Sequence, residues 1–209
     1  LSLLFTEIYL DKYFRNKAKL IAELNEYVGE FNQKQRKEIV RVGAKRGKDI
    51  FIAEPFTLAQ LNKLAFWNAT GSGKTLLMHI NIKQYLHYAL KYNQHYQNKV
   101  LLITPNEGLS KQHLLEFALS NLQASRFSKN TGGMFTGNEI EVLEITKLAE
   151  ESGDKTVAVD SFETDNLVLI DEGHGGMSGD SWKQYRDRLS ETGFAFEYSA
   201  TFGQAISAA

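Results

Sequence analysis

The stretch that decides the fold is Asn-Ala-Thr-Gly-Ser-Gly-Lys-Thr at residues 68–75, directly after the apolar segment 63–67. Gly71 and Gly73 can adopt backbone angles that a Cβ disfavours, so successive N–H groups of this turn can point inward at an anion. Apolar residues then recur every four positions, which predicts a helix whose N-terminal end adds partial positive charge at the same place. The sequence therefore predicts a buried strand, a phosphate-binding turn and a helix in succession.

In a phosphate loop of this kind, the residue types have separate chemical roles. Lys74 reaches the β- and γ-phosphates of a nucleotide, and the hydroxyl of Thr75 ligates Mg²⁺. The predicted nucleotide-binding residues of the loop are Thr70, Gly71, Ser72, Gly73, Lys74 and Thr75. Asn68 stands where the general pattern has a glycine, so the loop by itself leaves open a plain glycine turn with a solvated lysine.

A second motif follows the apolar run 166–170, which is typical of a strand buried on both faces of a parallel sheet. The run ends in Asp171-Glu172, so two carboxylates lie at the strand end where ligands bind in open α/β sheets. We expect Asp171 to hold Mg²⁺ through water and Glu172 to polarise the water that attacks the γ-phosphate. Catalysis is therefore predicted at Lys74, Asp171 and Glu172. An acidic loop after an ordinary core strand is the alternative.

Four motifs occur in the order found in the first RecA-like lobe of the superfamily 2 helicases and translocases, which the chain resembles over residues 60–203. They are the phosphate loop, Thr-Pro-Asn at 104–106, Asp-Glu-Gly-His at 171–174 and Ser-Ala-Thr at 199–201. The resemblance implies a RecA-like P-loop lobe with ATP and Mg²⁺ as cofactors. It also implies nucleic acid as the partner.

The resemblance assigns roles to further residues. In the family, the Thr-Pro segment touches the nucleic-acid backbone, and the Ser-Ala-Thr triplet couples ATP state to strand movement. The implied strand contacts are Thr104, Pro105, Asn106 and, in a further segment, Thr146. The implied coupling residues are Ser199 and Thr201, and His174 is implied as the link between the nucleotide and strand sites. Gln60 is the candidate within this chain for the glutamine that often reads adenine in the superfamily.

Two features favour a DNA motor over an RNA helicase. Ala69-Thr70 looks more like the motor subunits of type I and type III restriction enzymes than like DEAD-box RNA helicases, which favour Ala-Gln-Thr there. The acidic box agrees, because DEAD-box proteins have Ala and Asp where this chain has Gly173 and His174. The resemblance thus implies an ATP-dependent DNA translocase or helicase of a restriction system, with methyltransferase or specificity subunits as further partners. An RNA helicase, or a nucleotide-gated module that clamps nucleic acid or a partner with little turnover, remains the alternative.

Length and composition fit one lobe with an appendage. The chain has 209 residues, 43% of them hydrophobic and 23% charged, which is enough for a sizeable α/β core. We expect a helical N-terminal segment over residues 1–58 and the ATP-binding lobe over residues 59–209. A motor of this kind needs a second RecA-like lobe with an arginine finger, so we expect this chain to be a piece of a larger protein and nearly inactive alone.

Composition also excludes several classes of protein. The absence of cysteine rules out disulfides and thiolate chemistry. No run approaches the ~18 apolar residues of a membrane span, and no leader pattern is present, so a cytoplasmic protein without a membrane partner is expected. The formal net charge of −1 argues against a surface that is basic throughout.

One local concentration of positive charge nevertheless stands out near the N-terminus. Its residues are Lys34, Arg36, Lys37, Arg41, Lys45, Arg46 and Lys48. Upstream of it, apolar residues spaced by three and four predict a helix, at Ile21, Leu24, Val28 and Phe31. The basic stretch is either a contact with a phosphate backbone or an ordinary solvated face, and the sequence does not separate the two.

The remaining pattern alternates strands and helices, which predicts right-handed crossovers and a mostly parallel sheet with helices on both faces. Strands are predicted near 100–104, 139–144, 156–159, 166–171 and 194–199, and helices near 107–121 and 182–190. The histidines outside the acidic box are expected to be solvated, namely His79, His87, His95 and His113. Core or interface packing is expected for Tyr85, Tyr88, Tyr92 and Tyr96.

Overall fold

The structure is a computed structural model that describes residues 1–43, 50–69, 71–94, 99–127, 139–154, 156–172 and 179–200, with the backbone alone at 179–182. Three of the predicted site residues, Thr70, His174 and Thr201, lie outside these ranges. So do Lys45, Arg46 and Lys48 of the basic stretch.

The chain divides into two compact units. One comprises Leu1–Glu7 together with the chain from Asn62 onward, and the other comprises Ile8–Leu61. The division at residues 58 and 59 that we drew from the sequence stays a prediction.

Five α-helices are present in the described residues. Their bounds are α1 Ser2–Arg15, α2 Lys17–Val42, α3 Lys74–Lys91, α4 Glu107–Leu119 and α5 Gly179–Leu189. The predicted N-terminal helical region is therefore confirmed, with a break at Asn16. The side chain of Asn16 accepts a 2.9 Å hydrogen bond from the backbone N–H of Lys19, which is the interaction that starts a new helix.

The strands fall into one main sheet and one small sheet. Their bounds are β1 Lys63–Trp67, β2 Val100–Thr104, β3 Ala124–Arg126, β4 Ile140–Glu144, β5 Leu148–Ala149, β6 Val157–Ala158, β7 Leu167–Asp171 and β8 Phe194–Ser199. The main sheet has the order β1-β8-β7-β2-β4-β3, and every pairing in it is parallel. The predicted α/β class with a mostly parallel sheet is confirmed.

The apolar character of the central strands has a direct cause. Strands β2, β7 and β8 each have neighbours on both sides, and all of their residues are buried. Leu101, Val168 and Ala195, one from each strand, are inaccessible to solvent and belong to one hydrophobic cluster. Continuous burial of this kind is why these segments are largely apolar, with polar residues at or near their C-terminal ends.

Two details of the sheet differ from the prediction. The three-residue edge strand β3 was not predicted, because it is too short to show a periodic pattern. The strand predicted at 156–159 is wrong in extent and place, since only Val157–Ala158 is extended, and it pairs with β5 in the small sheet. The chain then turns into a 3₁₀ helix at Val159–Phe162. In the described ranges, no helix combines the length and apolar character required to cross a membrane.

Candidate functional site

The ends of three neighbouring strands lie at one edge of the main sheet. Trp67 of β1 is in register with Ser199 of β8, and Tyr198 of β8 is in register with Asp171 of β7. The backbone N–H of Asn68 continues the first pairing with a 3.1 Å hydrogen bond to the carbonyl of Ser199. The loops after β1, β7 and β8, each of which carries a predicted motif, therefore leave the sheet side by side.

The phosphate loop has the backbone that its glycines predict. A 3.1 Å hydrogen bond from the N–H of Ser72 to the carbonyl of Ala69 closes the turn, and Gly73 caps the start of α3. Gly71 has φ +76° and Gly73 φ +86°, both in the left-handed region. A Cβ at either position meets no atom of the described residues within 4 Å, so the backbone angle is what favours glycine here.

Lys74, the first residue of α3, directs its amino group into this site. Its Nζ contacts Oε1 of Glu172, the residue that follows β7. The Lys74 side chain is 14% exposed and that of Glu172 is 23% exposed, so the ion pair is largely shielded from water. The phosphate loop and the acidic box thus meet directly.

Glu172 is held from several directions. Its backbone has φ +51°, which is uncommon for a residue other than glycine, and its N–H donates a 2.9 Å hydrogen bond to the carbonyl of Tyr198. Its carboxylate accepts a 3.0 Å hydrogen bond from the hydroxyl of Ser199 and a 3.3 Å bond from the N–H of Ala200. Ser199 therefore lies against the acidic box, where the sequence predicted a coupling residue.

Asp171 has a partner that the sequence did not predict. Its Oδ2 lies 2.9 Å from Nε2 of His113, and both side chains are buried. The expectation of a solvated histidine is wrong for His113, which is 2% exposed. The physical reason is its place on the inner face of α4, together with Ser110 and Phe117. The spacing of these three residues by three and four is the signal that could have identified it.

The same expectation is wrong for His79 on α3, which is 4% exposed. Its Nδ1 is 2.8 Å from the hydroxyl of Ser120, and its ring stacks on Phe117 with centroids 4.5 Å apart. Burial lowers the pKa of His79. His79 is therefore a packed residue between α3 and α4.

Tyr85 and Tyr88 of α3 are buried, which agrees with the prediction of core or interface packing for these two tyrosines.

The residues present fit a nucleotide with a divalent metal ion. Lys74 and the glycine turn can bind phosphate. The carboxylate of Asp171 and the hydroxyl of Thr75 are oxygen ligands of the kind that Mg²⁺ prefers. Within the described part of the chain, Oδ1 of Asp171 has no hydrogen-bond partner. No group of three or more His, Asp or Glu side chains that could hold a metal occurs there.

The segments predicted to contact nucleic acid lie at the same edge of the sheet, further along it. Thr104 is in register with Glu144, so the turns after β2 and β4 are neighbours. The hydroxyl of Thr104 is buried and lies 2.7 Å from that of Ser110, so it braces the start of α4. Asn106 accepts a 3.0 Å hydrogen bond from the N–H of Leu109 and is exposed, as is Thr146. The roles of Thr104, Pro105, Asn106 and Thr146 stay predictions.

An ionic cluster that the sequence did not indicate stands beside these turns. Arg126 of the unpredicted strand β3 pairs with Glu144 at 2.6 Å and with Glu107 at 3.0 Å. Lys147 pairs with Glu144 at 3.1 Å, and Lys111 pairs with Glu107 at 3.1 Å. Hydrogen bonding to Glu144 raises the pKa of Arg126. Basic side chains thus reach this edge in fixed positions.

Gln60 lies in the other compact unit, at the end of a short 3₁₀ turn, Leu58–Gln60. Its side-chain oxygen accepts a 2.8 Å hydrogen bond from the N–H of Thr57, so it closes a capping box. A role in reading adenine stays a prediction.

A parallel sheet with a phosphate loop after one strand and an Asp-Glu pair after a nearby strand defines the first RecA-like lobe of a P-loop motor. A family model described as "Type III restriction enzyme, res subunit" matches residues 19–204. The chain belongs to this family. Membership places it among the superfamily 2 helicase-type motors, and so confirms the resemblance that the motifs indicated.

One solved structure that is similar to the chain is the UvsW helicase from Bacteriophage T4, with 17% sequence identity and a TM-score of 0.45. The match covers 69% of this chain and 48% of the other, so the chain spans about half of that helicase. No curated protein matches the chain.

Proposed function

We propose that the chain is the ATP-binding lobe of a DNA translocase or helicase in a restriction system. The observation that carries the proposal is the contact of Glu172 with both Lys74 and Ser199. It joins three loops that follow three different strands, and these are the loops that bind phosphate, activate water and couple hydrolysis to movement in motors of this family.

The geometry supports a defined sequence of events at the site. Lys74 is paired with Glu172 in the structure. When ATP enters, the β- and γ-phosphates compete for Lys74, and Glu172 loses this partner while it keeps Ser199 and the N–H of Ala200. A carboxylate that is held in this way can orient and polarise the attacking water. The pairing thus keeps the base from acting until ATP is bound.

Asp171 and Thr75 would hold Mg²⁺, which supplies positive charge to the β- and γ-phosphates when it is bound. A second RecA-like lobe would supply the arginine finger, which is worth about 10³–10⁵ in rate in related NTPases. Glu172 and Lys74 of this lobe alone would therefore support little turnover.

DNA is the proposed track, because the matched family is described as a restriction-enzyme subunit and the Ala69-Thr70 and Gly173-His174 positions differ from those of DEAD-box RNA helicases. Methyltransferase or specificity subunits are the corresponding proposed partners, and the cytoplasm is the proposed location. An RNA helicase and a clamp with little turnover are separated from this proposal by experiment.

The test compares the full-length protein with its Glu172→Gln variant in ATPase assays with duplex DNA, single-stranded DNA and RNA. Duplex DNA should stimulate the wild-type protein most. Glu172→Gln should lower turnover by about 10²–10⁴-fold while ATP binds at least as tightly, because the amide cannot act as base and no longer competes for Lys74.

Glu163→Gln is the matched control, since Glu163 also has a left-handed backbone, φ +60°, but is exposed and lies on the loop before β7. It should leave turnover unchanged. Stimulation by RNA alone would assign an RNA helicase, and nucleotide-dependent binding without stimulated turnover would assign a clamp.

A further inference from the structure

We infer that His113 is a positioning residue for the metal-binding carboxylate of Asp171, an inference that rests on the proposed function. His113 lies on α4, the helix that follows the Thr-Pro-Asn segment, whereas Asp171 ends β7. The 2.9 Å contact between Nε2 and Oδ2 therefore ties the acidic box to the helix behind it.

The side chains of His113 and Asp171 are both buried, so the hydrogen bond between them should help to hold the Asp171 carboxylate in place. A buried carboxylate needs a partner, and His113 provides it at an atom that can donate a hydrogen bond. The bond engages Oδ2 and leaves Oδ1 of Asp171 without a protein partner in the described ranges. One oxygen is thus held by the protein while the other stays available to a metal ion or to its water ligands.

The contacts of the second ring nitrogen, Nδ1, do not explain why a histidine occupies position 113. Nδ1 is buried and has no hydrogen-bond partner among the residues that the structure describes. The ring otherwise packs near Phe117, with centroids 6.2 Å apart. An apolar side chain would pack there without leaving a buried nitrogen unsatisfied, so the contact with Asp171 is what a histidine adds at this position.

A carboxylate that ligates a metal is usually itself hydrogen-bonded, and loss of such a partner typically costs about 10–100-fold in metal affinity or activity. Loss of the His113 contact should therefore weaken metal binding and leave phosphate binding, which depends on Lys74, unchanged. The effect should depend on Nε2, the ring nitrogen that contacts Asp171.

The test uses two amides that differ in reach. In His113→Gln the amide nitrogen can occupy the place of Nε2, whereas in His113→Asn it reaches only the place of Nδ1. Manganese affinity of the full-length protein with bound ADP is measured by electron paramagnetic resonance, and ADP affinity is measured in the presence of EDTA. His113→Asn should weaken Mn²⁺ binding by about tenfold or more. His113→Gln should retain most of it, and both should bind metal-free ADP as the wild type does.

His79→Leu is the matched control, because His79 is also a buried histidine packed on Phe117 but contacts Ser120 instead of Asp171. It should lower the thermal unfolding midpoint and leave Mn²⁺ affinity unchanged. His113→Leu gives the same comparison through an apolar side chain, in case His113→Asn does not fold.

Wild-type Mn²⁺ affinity in folded His113→Asn or His113→Leu would overturn the inference, as would an equal loss in His113→Gln and His113→Asn. Asp171→Asn separates this result from the proposed function. If Asp171→Asn also keeps wild-type Mn²⁺ affinity, the metal role of Asp171 is wrong and the inference falls with it. If only the His113 variants do, the proposed function stands and the inference alone is wrong.

Discussion

The hydroxyl of Ser199 donates a 3.0 Å hydrogen bond to Oε2 of Glu172. It thereby connects the end of β8 to the residue that follows β7, through the carboxylate oxygen other than the one that Lys74 contacts. A change in the position of either loop changes the orientation of the proposed catalytic base. The contact is thus a physical route by which the triplet after β8 can respond to nucleotide state.

Replacing Ser199 by Ala should therefore lower ATP turnover in the full-length protein by about tenfold, equivalent to about 1.4 kcal/mol, while ATP affinity stays unchanged. The carboxylate keeps the N–H of Ala200 but loses a directional donor. Ser190→Ala is the control, since Ser190 is also buried and its hydroxyl donates to the carbonyl of Arg186, at the end of α5. An equal effect in both variants would show that the loss reflects general destabilisation.

Replacing Lys74 by Ala should remove most ATP binding and hydrolysis, because the described part of the loop contains no other cationic side chain. Fluorescent-nucleotide titration and steady-state phosphate release measure the two effects. Lys83→Ala on the exposed side of the same helix should change neither. Normal turnover in a folded Lys74→Ala protein would contradict the assignment of the phosphate loop.

A buried hydrogen bond connects the helix of the phosphate loop with β8. Asn81 of α3 donates a 2.8 Å bond to the hydroxyl of Tyr198, and both residues are almost inaccessible to solvent. Tyr198→Phe should lower the free energy of unfolding by about 1–3 kcal/mol, because the amide of Asn81 is left without its partner. Denaturant unfolding measures this, with Tyr27→Phe, at an exposed position, as a control that should cost little. Equal stability of the two variants would mean that another group satisfies Asn81.

His79 should contribute to the pH dependence of the free energy of unfolding. Burial lowers its pKa from 6.5, the nearby His113 and Lys83 act in the same direction, and Glu116 opposes them. The unfolded chain therefore binds the proton more readily than the folded chain. The contribution of His79 is fully present above about pH 6.5 and is lost as the pH falls below that value toward the lowered pKa.

Thermal unfolding between about pH 7.5 and about pH 5.5, about one unit on either side of the ordinary histidine pKa, measures this loss. His79→Asn should flatten the dependence, because its amide can keep the contact with Ser120 without titrating. The exposed His87 on the same helix supplies the control, His87→Asn, which should leave the slope as in the wild type. A wild-type slope in His79→Asn would assign the effect to another group.

The part of the basic stretch that lies in α2 has a defined geometry, which allows its role to be tested. Lys34, Lys37 and Arg41 are exposed and spaced by three and four, so they share one face, whereas Arg36 lies on another. If this face meets a phosphate backbone, the triple change to Gln should reduce the slope of log affinity against log salt by up to about 0.9 per residue. Filter binding of duplex DNA at several salt concentrations measures the slope.

A control with equal loss of charge outside the basic stretch changes Lys17, Lys19 and Lys91 to Gln. All three are exposed. An unchanged slope in the first variant, or an equal decrease in both, would identify the basic stretch as an ordinary solvated face.

The sequence by itself determined the parts of this protein in which local pattern and local structure coincide. The runs that became β2, β7 and β8 were predicted almost to the residue, because strands buried on both faces are largely apolar. The bounds of β1 were also predicted, but its expected burial is wrong: β1 lies at the edge of the sheet, and Phe66 is its one buried residue. The left-handed glycines of the phosphate loop were likewise predictable, because φ > 0 is a local property.

Only the tertiary structure decided which side chains meet across the sheet. The order of the strands places β8 between β1 and β7, and this is what brings Ser199 against Glu172. His113 contacts Asp171 because α4, the helix after β2, packs with its inner face toward the end of β7. The two residues are far apart in the chain. The spacing within α4 can place His113 on the buried face of that helix, but it cannot identify Asp171 as the partner, because that contact depends on long-range packing.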